Sequence, residues 1–350
     1  MISFESDYIE GVHEKILKRL LETNLEQLPG YGEDHYTKSA KEKIKKIINC
    51  PNADIYFLVG GTQTNAVVIS SLLGMNQGVC SASTGHINVH EAGAIEHTGH
   101  KVLSLPEHFG KIDPKELNNF LEDYFGDGNR EHMVYPGMVY ISYPTEFGTL
   151  YSLKELQNIS DICKKYKIPL YIDGARIGCG IVAGEISISQ IAELCDVFYI
   201  GGTKMGAFCG EAVIFTKNNT PKYFKSIIKQ QGALLAKGRL LGIQFDTLFE
   251  DNLFFELSKH AVSIADEMRK IFRELNYRFY VDSPTNQIFI IMKNKDIEFL
   301  KQYVKFDFWQ KFDSENTVVR FASSWATPKE NVIKLKEILE KLWCILFILS

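Results

Sequence analysis

Apolar residues along the first two thirds of the chain recur in short runs that alternate with segments of helical periodicity. Seven runs have the length and composition of strands: 54–59, 78–82, 101–104, 138–142, 168–172, 196–200 and 211–215. Helical spacing marks 11–24 and 66–73. This alternation predicts an α/β fold in which helices sandwich a mainly parallel sheet, with functional groups beyond the carboxyl ends of the strands.

The pattern changes after residue 245. A long helical segment over 248–275 is followed by strand-like runs at 287–292 and 317–321. We therefore expect an N-terminal helix and a large domain over 1–245, and a smaller α+β domain over 246–350. The apolar segment 342–349 is far shorter than the ~20 residues of a membrane span. We expect it to be a last helical turn docked on the small domain, with a partner contact as the alternative.

Composition narrows the class of protein. The 350 residues are 45% hydrophobic and 23% charged, which suits a large buried core. A net charge of −4 gives no reason to expect nucleic acid or a membrane as partner. Seven scattered cysteines lack C-x-x-C or zinc spacing, and the first residues lack the pattern of a signal sequence. We therefore expect reduced thiols, a cytoplasmic location and no metal site.

Two predicted strands end in residues that carry chemistry. Lys204 follows the run 196–200 and a pair of glycines, and Asp173 ends the run 168–172. An amine and a carboxylate at neighbouring strand ends are what pyridoxal phosphate requires, the amine for its aldehyde and the carboxylate for its pyridine nitrogen. A buried salt bridge is the alternative interpretation of such a pair.

A third element favours the cofactor. The strand-like run 54–59 leads into Gly60, Gly61 and Thr62, and a helical segment follows. Glycines let the backbone approach an anion, and the helix N-terminus presents free N–H groups to it, so this turn predicts a phosphate site. It lacks both the P-loop lysine and the G-x-G-x-x-G dinucleotide fingerprint, which argues against a nicotinamide-dependent oxidoreductase.

Several motifs together resemble one known family. In the same order, they resemble the pyridoxal-phosphate-dependent L-threonine aldolases of low-specificity type, within the β-eliminating lyases of fold type I. The motifs lie at 4–7, 29–34, 61–65, 83–96, 144–151, 173–176, 201–204, 237–239 and 319–321. The resemblance spans nearly the whole chain. It implies retro-aldol cleavage of L-threonine or L-allo-threonine to glycine and acetaldehyde.

The resemblance also implies roles around the cofactor. Lys204 binds it covalently, Asp173 keeps its pyridine nitrogen protonated, and His86 stacks on its ring. Gly61 and Thr62 lie in the turn that holds the phosphate. Arg239 corresponds to a phosphate contact from a neighbouring subunit, which implies a homodimer or homotetramer with shared active sites.

For the substrate, the resemblance implies that Arg176 and Arg320 grip the carboxylate, a two-pronged task that suits guanidinium groups. Arg320 would close the site from the second domain. Tyr31 and Ser6 correspond to substrate-site residues. The base that removes the β-hydroxyl proton is either His86 or His132, and the sequence leaves that choice open.

Other functions remain alternatives at this point. Another pyridoxal-phosphate-dependent β-eliminating lyase, or an aminotransferase, would share Asp173, Lys204 and the glycine turn while acting on a different small or aromatic L-amino acid. A cofactor-carrying protein without enzymatic activity is less favoured, because the two arginines would then have no task.

Overall fold

The chain folds around one large β-sheet, and a smaller sheet follows toward its C-terminal end. This computed structural model describes residues 1–349, with side chains described through residue 342. The elements of the first part are β1 (Ile2–Ser3), α1 (Glu14–Glu22), α2 (His35–Ile47), β2 (Asp54–Leu58), α3 (Gly61–Leu72), β3 (Gln77–Ala82), α4 (His86–Val89), α5 (Ala94–His97), β4 (Lys101–Leu105), α6 (Pro114–Gly126), β5 (Tyr135–Ser142), α7 (Leu153–Tyr166), β6 (Leu170–Asp173), α8 (Ile177–Ala183), α9 (Ile188–Leu194), β7 (Val197–Gly201), β8 (Glu211–Phe215), α10 (Phe224–Gln230) and α11 (Arg239–Leu248).

The large sheet confirms the predicted α/β fold. Its seven strands lie in the order β2-β8-β7-β6-β5-β3-β4, and each corresponds to a run predicted from the sequence. All neighbours pair in parallel except β8, which runs antiparallel to β2 and β7. Apolar clusters cover both faces, one with residues of α1, α2, α6 and α7 and the other with residues of α3, α4, α5 and α10. The sheet is therefore buried on both sides, as such sheets require.

The smaller sheet belongs to the α+β part of the chain. Its four antiparallel strands lie in the order β12-β13-β10-β9. The remaining elements are α12 (Leu253–Glu274), β9 (Arg278–Val281), β10 (Gln287–Lys293), α13 (Asn294–Leu300), β11 (Val304–Lys305), β12 (Asp307–Lys311), β13 (Asn316–Ala322) and α14 (Lys329–Leu349). The predicted division at residue 246 falls within α11 and stays a prediction.

The N-terminal residues join this second part, which the sequence did not predict. Strand β1 pairs in parallel with β11. Phe4 is fully buried in an apolar cluster with Phe272 and Phe321. The turn that follows, with Ser6 and Asp7, is thereby fixed between the two sheets.

Two helices start at residues other than those predicted. Helix α3 begins at Gly61 rather than 66, because Gly60 adopts an extended conformation and serves as its N-cap. The predicted helix 248–275 starts only at Leu253, because the left-handed residues Asp251 and Asn252, with φ of 48° and 60°, separate it from α11. Helix α14 runs through Leu349. The predicted docking of the segment 342–349 depends on side chains that lie mostly outside the described ones.

Among the helices that the structure describes, none alone has the length and apolar composition to cross a membrane. Only α8 and α9 taken together, with a bend of 115° between them, pass that test.

Candidate active site

A cavity of ≈ 330 Å³ opens at the carboxyl edge of the large sheet. It forms where β2, β5, β6 and β7 end and where the antiparallel strand β8 begins. The residues that line it include Tyr8, Gly60, Gly61, Thr62, His86, Ser142, Glu146, Asp173, Arg176, Tyr199, Thr203, Lys204 and Glu211. Six of the residues predicted for the site therefore share one cavity: Gly61, Thr62, His86, Asp173, Arg176 and Lys204.

Asp173, the last residue of β6, is a buried carboxylate surrounded by donors. Its Oδ1 accepts hydrogen bonds from the Tyr199 hydroxyl at 2.5 Å and the Ala175 N–H at 3.0 Å. Its Oδ2 accepts from the Tyr140 hydroxyl at 2.6 Å and the Asn65 amide at 3.1 Å. Burial works to raise the pKa of Asp173, but the His86 charge and these hydrogen bonds together lower it. The group is therefore an anion suited to hold a cation.

Lys204 reaches the cavity from the loop after β7. Glycines precede it because a side chain at Gly201 would collide with the backbone of Ala175. Its amine lies 5.9 Å from the centre of the Tyr8 ring. Burial and the positive charge of Arg176 lower the pKa of Lys204. A buried amine of this kind is more easily deprotonated, which makes it available as a nucleophile.

The N-terminus of α3 forms one wall of the cavity. Gly60 provides no side-chain cap, so the N–H groups of the first turn keep no partner from that residue. Thr62 adds a hydroxyl to the same wall. Free N–H groups and a positive helix end make this wall a site for a phosphate group.

His86 is held by two carboxyl groups. Its Nδ1 lies 2.7 Å from Oε1 of Glu91, and its backbone N–H donates to Oε1 of Glu146 at 2.8 Å. The same Glu91 oxygen accepts the Asn65 amide at 2.7 Å. Because that oxygen is an acceptor, Nδ1 directs its hydrogen toward Glu91, which leaves Nε2 as the ring nitrogen that can accept a proton.

The two predicted carboxylate-gripping arginines are already in ion pairs. Arg176 donates from Nε and Nη2 to Asp7 at 2.6 and 2.9 Å. Arg320 donates from Nη2 to Asp307 at 2.8 Å and from Nη1 to Gln287 at 3.1 Å.

These pairs leave other donors free beside them. Nη2 of Arg320 also lies 3.4 Å from the carbonyl oxygen of Glu5, which brings Arg320 next to Ser6. The Ser6 hydroxyl and Nε of Arg320 are buried without a hydrogen-bond partner in the described part of the chain. Unpartnered buried donors cost free energy, so this place suits an anionic ligand.

Three predicted site residues lie elsewhere in the chain. His132 is exposed in a 3₁₀ turn, Arg130–His132, before the first residue of β5. It therefore lies at the opposite edge of the sheet from Lys204. Arg239 donates to the carbonyl oxygens of Thr23, Asn24 and Glu26 after α1.

Tyr31 also lies outside the cavity of its own chain. It is 45% exposed and lines a separate surface cavity of ≈ 380 Å³. Its N–H donates to the Ala236 carbonyl, so the turn that carries Tyr31 lies beside the segment that leads to Arg239. These two residues of the aldolase pattern thus lie on adjacent segments, and neither lines the cavity of its own chain.

Sequence reasoning missed the partners that hold the site residues. Asp7 and Glu91 lie within the recognised motifs, but neither was assigned a role. Tyr140 and Tyr199 read as apolar strand positions, although both hydroxyls bond to Asp173. Alternate side chains of a strand point to the same face, so counting back from the strand end was the signal that could have predicted where these two tyrosines point.

Comparison with known proteins decides the family. The model of the family described as "Beta-eliminating lyase" matches residues 3–295. The chain belongs to the beta-eliminating lyase family. It is 27% identical over 341 residues to low specificity L-threonine aldolases of a Pseudomonas species and of Pseudomonas aeruginosa, covering 95% of this chain and 95% of each relative.

A solved structure of a threonine aldolase from Leishmania major is more similar still. It has a TM-score of 0.94 and 38% identity, covering 98% of this chain and 99% of that one. The histidinol-phosphate aminotransferase of Clostridium acetobutylicum, at 15% identity and a TM-score of 0.73, shares the fold. This beta-eliminating lyase therefore has fold type I, and its cofactor is pyridoxal phosphate.

The residues of the cavity fit that cofactor. Asp173 offers a buried carboxylate for the pyridine nitrogen, and Lys204 offers an amine for the aldehyde. The N-terminus of α3 offers N–H groups for the phosphate. These three groups differ in chemistry and lie around one cavity of suitable size.

Proposed function

We propose that this beta-eliminating lyase is an L-threonine aldolase that cleaves L-threonine, and L-allo-threonine, to glycine and acetaldehyde. One observation carries the proposal. The buried amine of Lys204, the hydrogen-bonded carboxylate of Asp173 and His86, whose Nε2 has no partner in the described residues, all line one cavity. The threonine aldolases of Pseudomonas and Leishmania major support the choice of substrate.

The cofactor is held by groups with separate tasks. Lys204 would bind it covalently through its amine, and Asp173 would keep a proton on its ring nitrogen. Pyridoxal phosphate, when bound, supplies the sink for the electron pair that the substrate α-carbon receives. Asp173 sustains that sink because its four hydrogen bonds keep it ionised despite burial. Gly61 and Thr62, at the N-terminus of α3, would hold the phosphate.

His86 is the base that takes the β-hydroxyl proton. Glu91 holds its Nδ1–H, so Nε2 is free to accept a proton. Loss of that proton allows the bond between the α and β carbons to break, acetaldehyde leaves, and the α-carbon takes up one proton to give glycine. His132 has no part in this step within one chain, because it lies at the opposite edge of the sheet. Within one chain, this position supports His86 as the base rather than His132.

The substrate carboxylate lies among Ser6, Arg176 and Arg320. Asp7 already occupies two nitrogens of Arg176, so that arginine contributes its charge and remaining nitrogen. The buried Nε of Arg320 and the Ser6 hydroxyl are free donors in the described residues. The carboxylate is thus bound by several donors rather than by one bidentate arginine.

The active enzyme is a homodimer or homotetramer in the cytoplasm. Tyr31 lies beside the segment that leads to Arg239, and neither residue lines the cavity of its own chain, which supports their use by a neighbouring copy. A symmetric pair of chains would exchange these residues reciprocally. The six cysteines with described side chains are all free thiols, in keeping with a reducing compartment.

Product analysis tests the proposal. Purified protein with pyridoxal phosphate is incubated with L-threonine, and acetaldehyde, glycine, ammonia and 2-oxo acids are measured. Equimolar acetaldehyde and glycine are expected. Ammonia with a 2-oxo acid would instead indicate another β-eliminating lyase, and turnover only with an added 2-oxo acid acceptor would indicate an aminotransferase.

A further inference from the structure

Glu211 is a buried carboxyl group that the proposed mechanism does not use. It is the first residue of β8, opposite Leu58 of β2 and Gly201 of β7. Because β8 runs antiparallel to both neighbours, Glu211 lies at the carboxyl edge of the sheet. The residue is 4% exposed, and it lines the same cavity as Gly61 and Thr62.

Only one of its oxygens is satisfied. Oε1 accepts a hydrogen bond from the Thr203 hydroxyl at 2.9 Å. Oε2 is buried without a partner in the described part of the chain. An ionised oxygen in such a place is costly, whereas a protonated one needs an acceptor. The nearby N-terminus of α3 presents N–H donors, so the acceptor must come from a bound group.

We propose that Glu211 helps to hold the cofactor phosphate as a neutral carboxylic acid, donating its Oε2–H to a phosphate oxygen. The N–H groups of the first turn of α3 donate to the other oxygens. An ionised Glu211 would repel the phosphate dianion instead. The proposal rests on pyridoxal phosphate as cofactor and is independent of threonine as substrate.

The surroundings keep Glu211 protonated at neutral pH. Burial raises the pKa of Glu211 to about 8, and the charge of Asp173 acts in the same direction. The Thr203 hydrogen bond, the charge of Lys204 and the Gly202 backbone N–H act to lower this pKa. From β2 the facing residue is Leu58, which does not titrate. The titratable groups that face it are Lys204, Asp173, Tyr171, Tyr199 and Cys209.

Binding of pyridoxamine 5′-phosphate to the cofactor-free full chain tests this role. The probe has an amine in place of the aldehyde and so binds without a covalent bond to Lys204, and its fluorescence reports affinity from pH 6.5 to 9.5. In the wild type we expect constant affinity up to pH of about 8, then a fall of about tenfold per pH unit, because one proton is lost. Glu211→Gln keeps an N–H donor and should lack this Glu211-dependent fall, so it should bind more tightly than the wild type above pH of about 8.

Two further variants complete the design. Glu211→Ala should weaken binding about tenfold at pH 7, the loss of one hydrogen bond to a charged group. Glu193→Gln, the same change at an exposed position of α9, should behave as the wild type. Pyridoxamine, which lacks the phosphate, should bind weakly and with no difference between wild type and Glu211→Gln.

Equal pH profiles for the wild type and Glu211→Gln would overturn the proposal. So would a Glu211-dependent fall with pyridoxamine, since the contact would then not be to phosphate. A wild type that binds no pyridoxamine phosphate at any pH overturns the cofactor site as well. A protein with the expected profile that fails to cleave threonine contradicts the proposed function but leaves the role of Glu211 intact.

Discussion

Replacing Arg320 by alanine should impair substrate binding and leave the cofactor in place. Arg320 lies on β13 in the smaller sheet, and its side chain is 11% exposed. Its Nε is a charged, buried donor that has no hydrogen-bond partner in the described residues. A hydrogen bond from such a group to a carboxylate is worth about 1.5 to 3 kcal/mol. Arg320→Ala should therefore raise KM for L-threonine about tenfold to more than a hundredfold.

The ion pair between Arg320 and Asp307 provides a second test of this prediction. Asp307 is 41% exposed, so loss of its partner leaves a carboxylate that water can solvate, and Arg320→Ala should fold normally. Asp307→Asn keeps the arginine and removes the anion that competes for it. We expect an unchanged or lower KM for this variant. A raised KM in Arg320→Ala beside an unchanged or lower KM in Asp307→Asn would identify the arginine as a substrate contact.

The assay is steady-state formation of acetaldehyde across a range of L-threonine concentrations, with the visible absorbance of bound cofactor as a check of occupancy. Arg278→Ala is the matched control, because Arg278 is an exposed arginine on β9 of the same sheet. A normal KM in Arg320→Ala would refute the carboxylate assignment. Loss of cofactor absorbance in that variant would also refute it, since the arginine would then support the cofactor rather than the substrate.

The remaining predictions concern four other residues. His86→Ala should lower kcat by ~10² to 10⁴, the contribution of a positioned base, while His132→Ala should leave it unchanged; equal effects would contradict the location of the base. Asp173→Asn should retain cofactor but slow the chemical step about tenfold to over a hundredfold in single-turnover experiments. Asp7→Asn should destabilise the fold in urea by about 3 to 5 kcal/mol at pH 7, because it leaves Arg176 buried without its counter-charge. The pKa of Asp7 is lowered in the folded chain, so this difference should hold above pH 5 and shrink as the pH falls below the usual value of 3.8.

The strands were predictable because their signals are local. Each apolar run of the large sheet carries its own length and composition, and each ends near a glycine or a polar residue. The order of the strands and the reversed direction of β8 were not predicted, because pairing depends on contacts between distant segments. The reversal matters for function, since it brings Glu211 to the edge where Lys204 lies.

The candidate site was predictable to a similar extent. Asp173, Lys204 and Gly61 all lie at strand ends. The local sequence pattern predicts those ends, and ligands of α/β sheets bind beyond the carboxyl ends of the strands. Asp7 lies 169 positions from Arg176, so no local motif predicts that the two residues pair. His132 belonged to a loosely matched segment, and it lies at the opposite edge because it precedes β5 rather than following it.

Charge at the site is the property that sequence conveys least. Asp173, Glu146 and Glu211 are all buried around one cavity, yet the pKa of Asp173 is lowered while those of Glu146 and Glu211 are raised. Burial acts in the same direction on all three, so the hydrogen-bond donors and neighbouring charges decide the outcome. Asp173 accepts four hydrogen bonds, among them those of Tyr140 and Tyr199, and Glu211 accepts one from a side chain. The same fold thereby provides an anion for the ring nitrogen and a neutral acid beside the phosphate, from carboxyl groups that a sequence alone cannot distinguish.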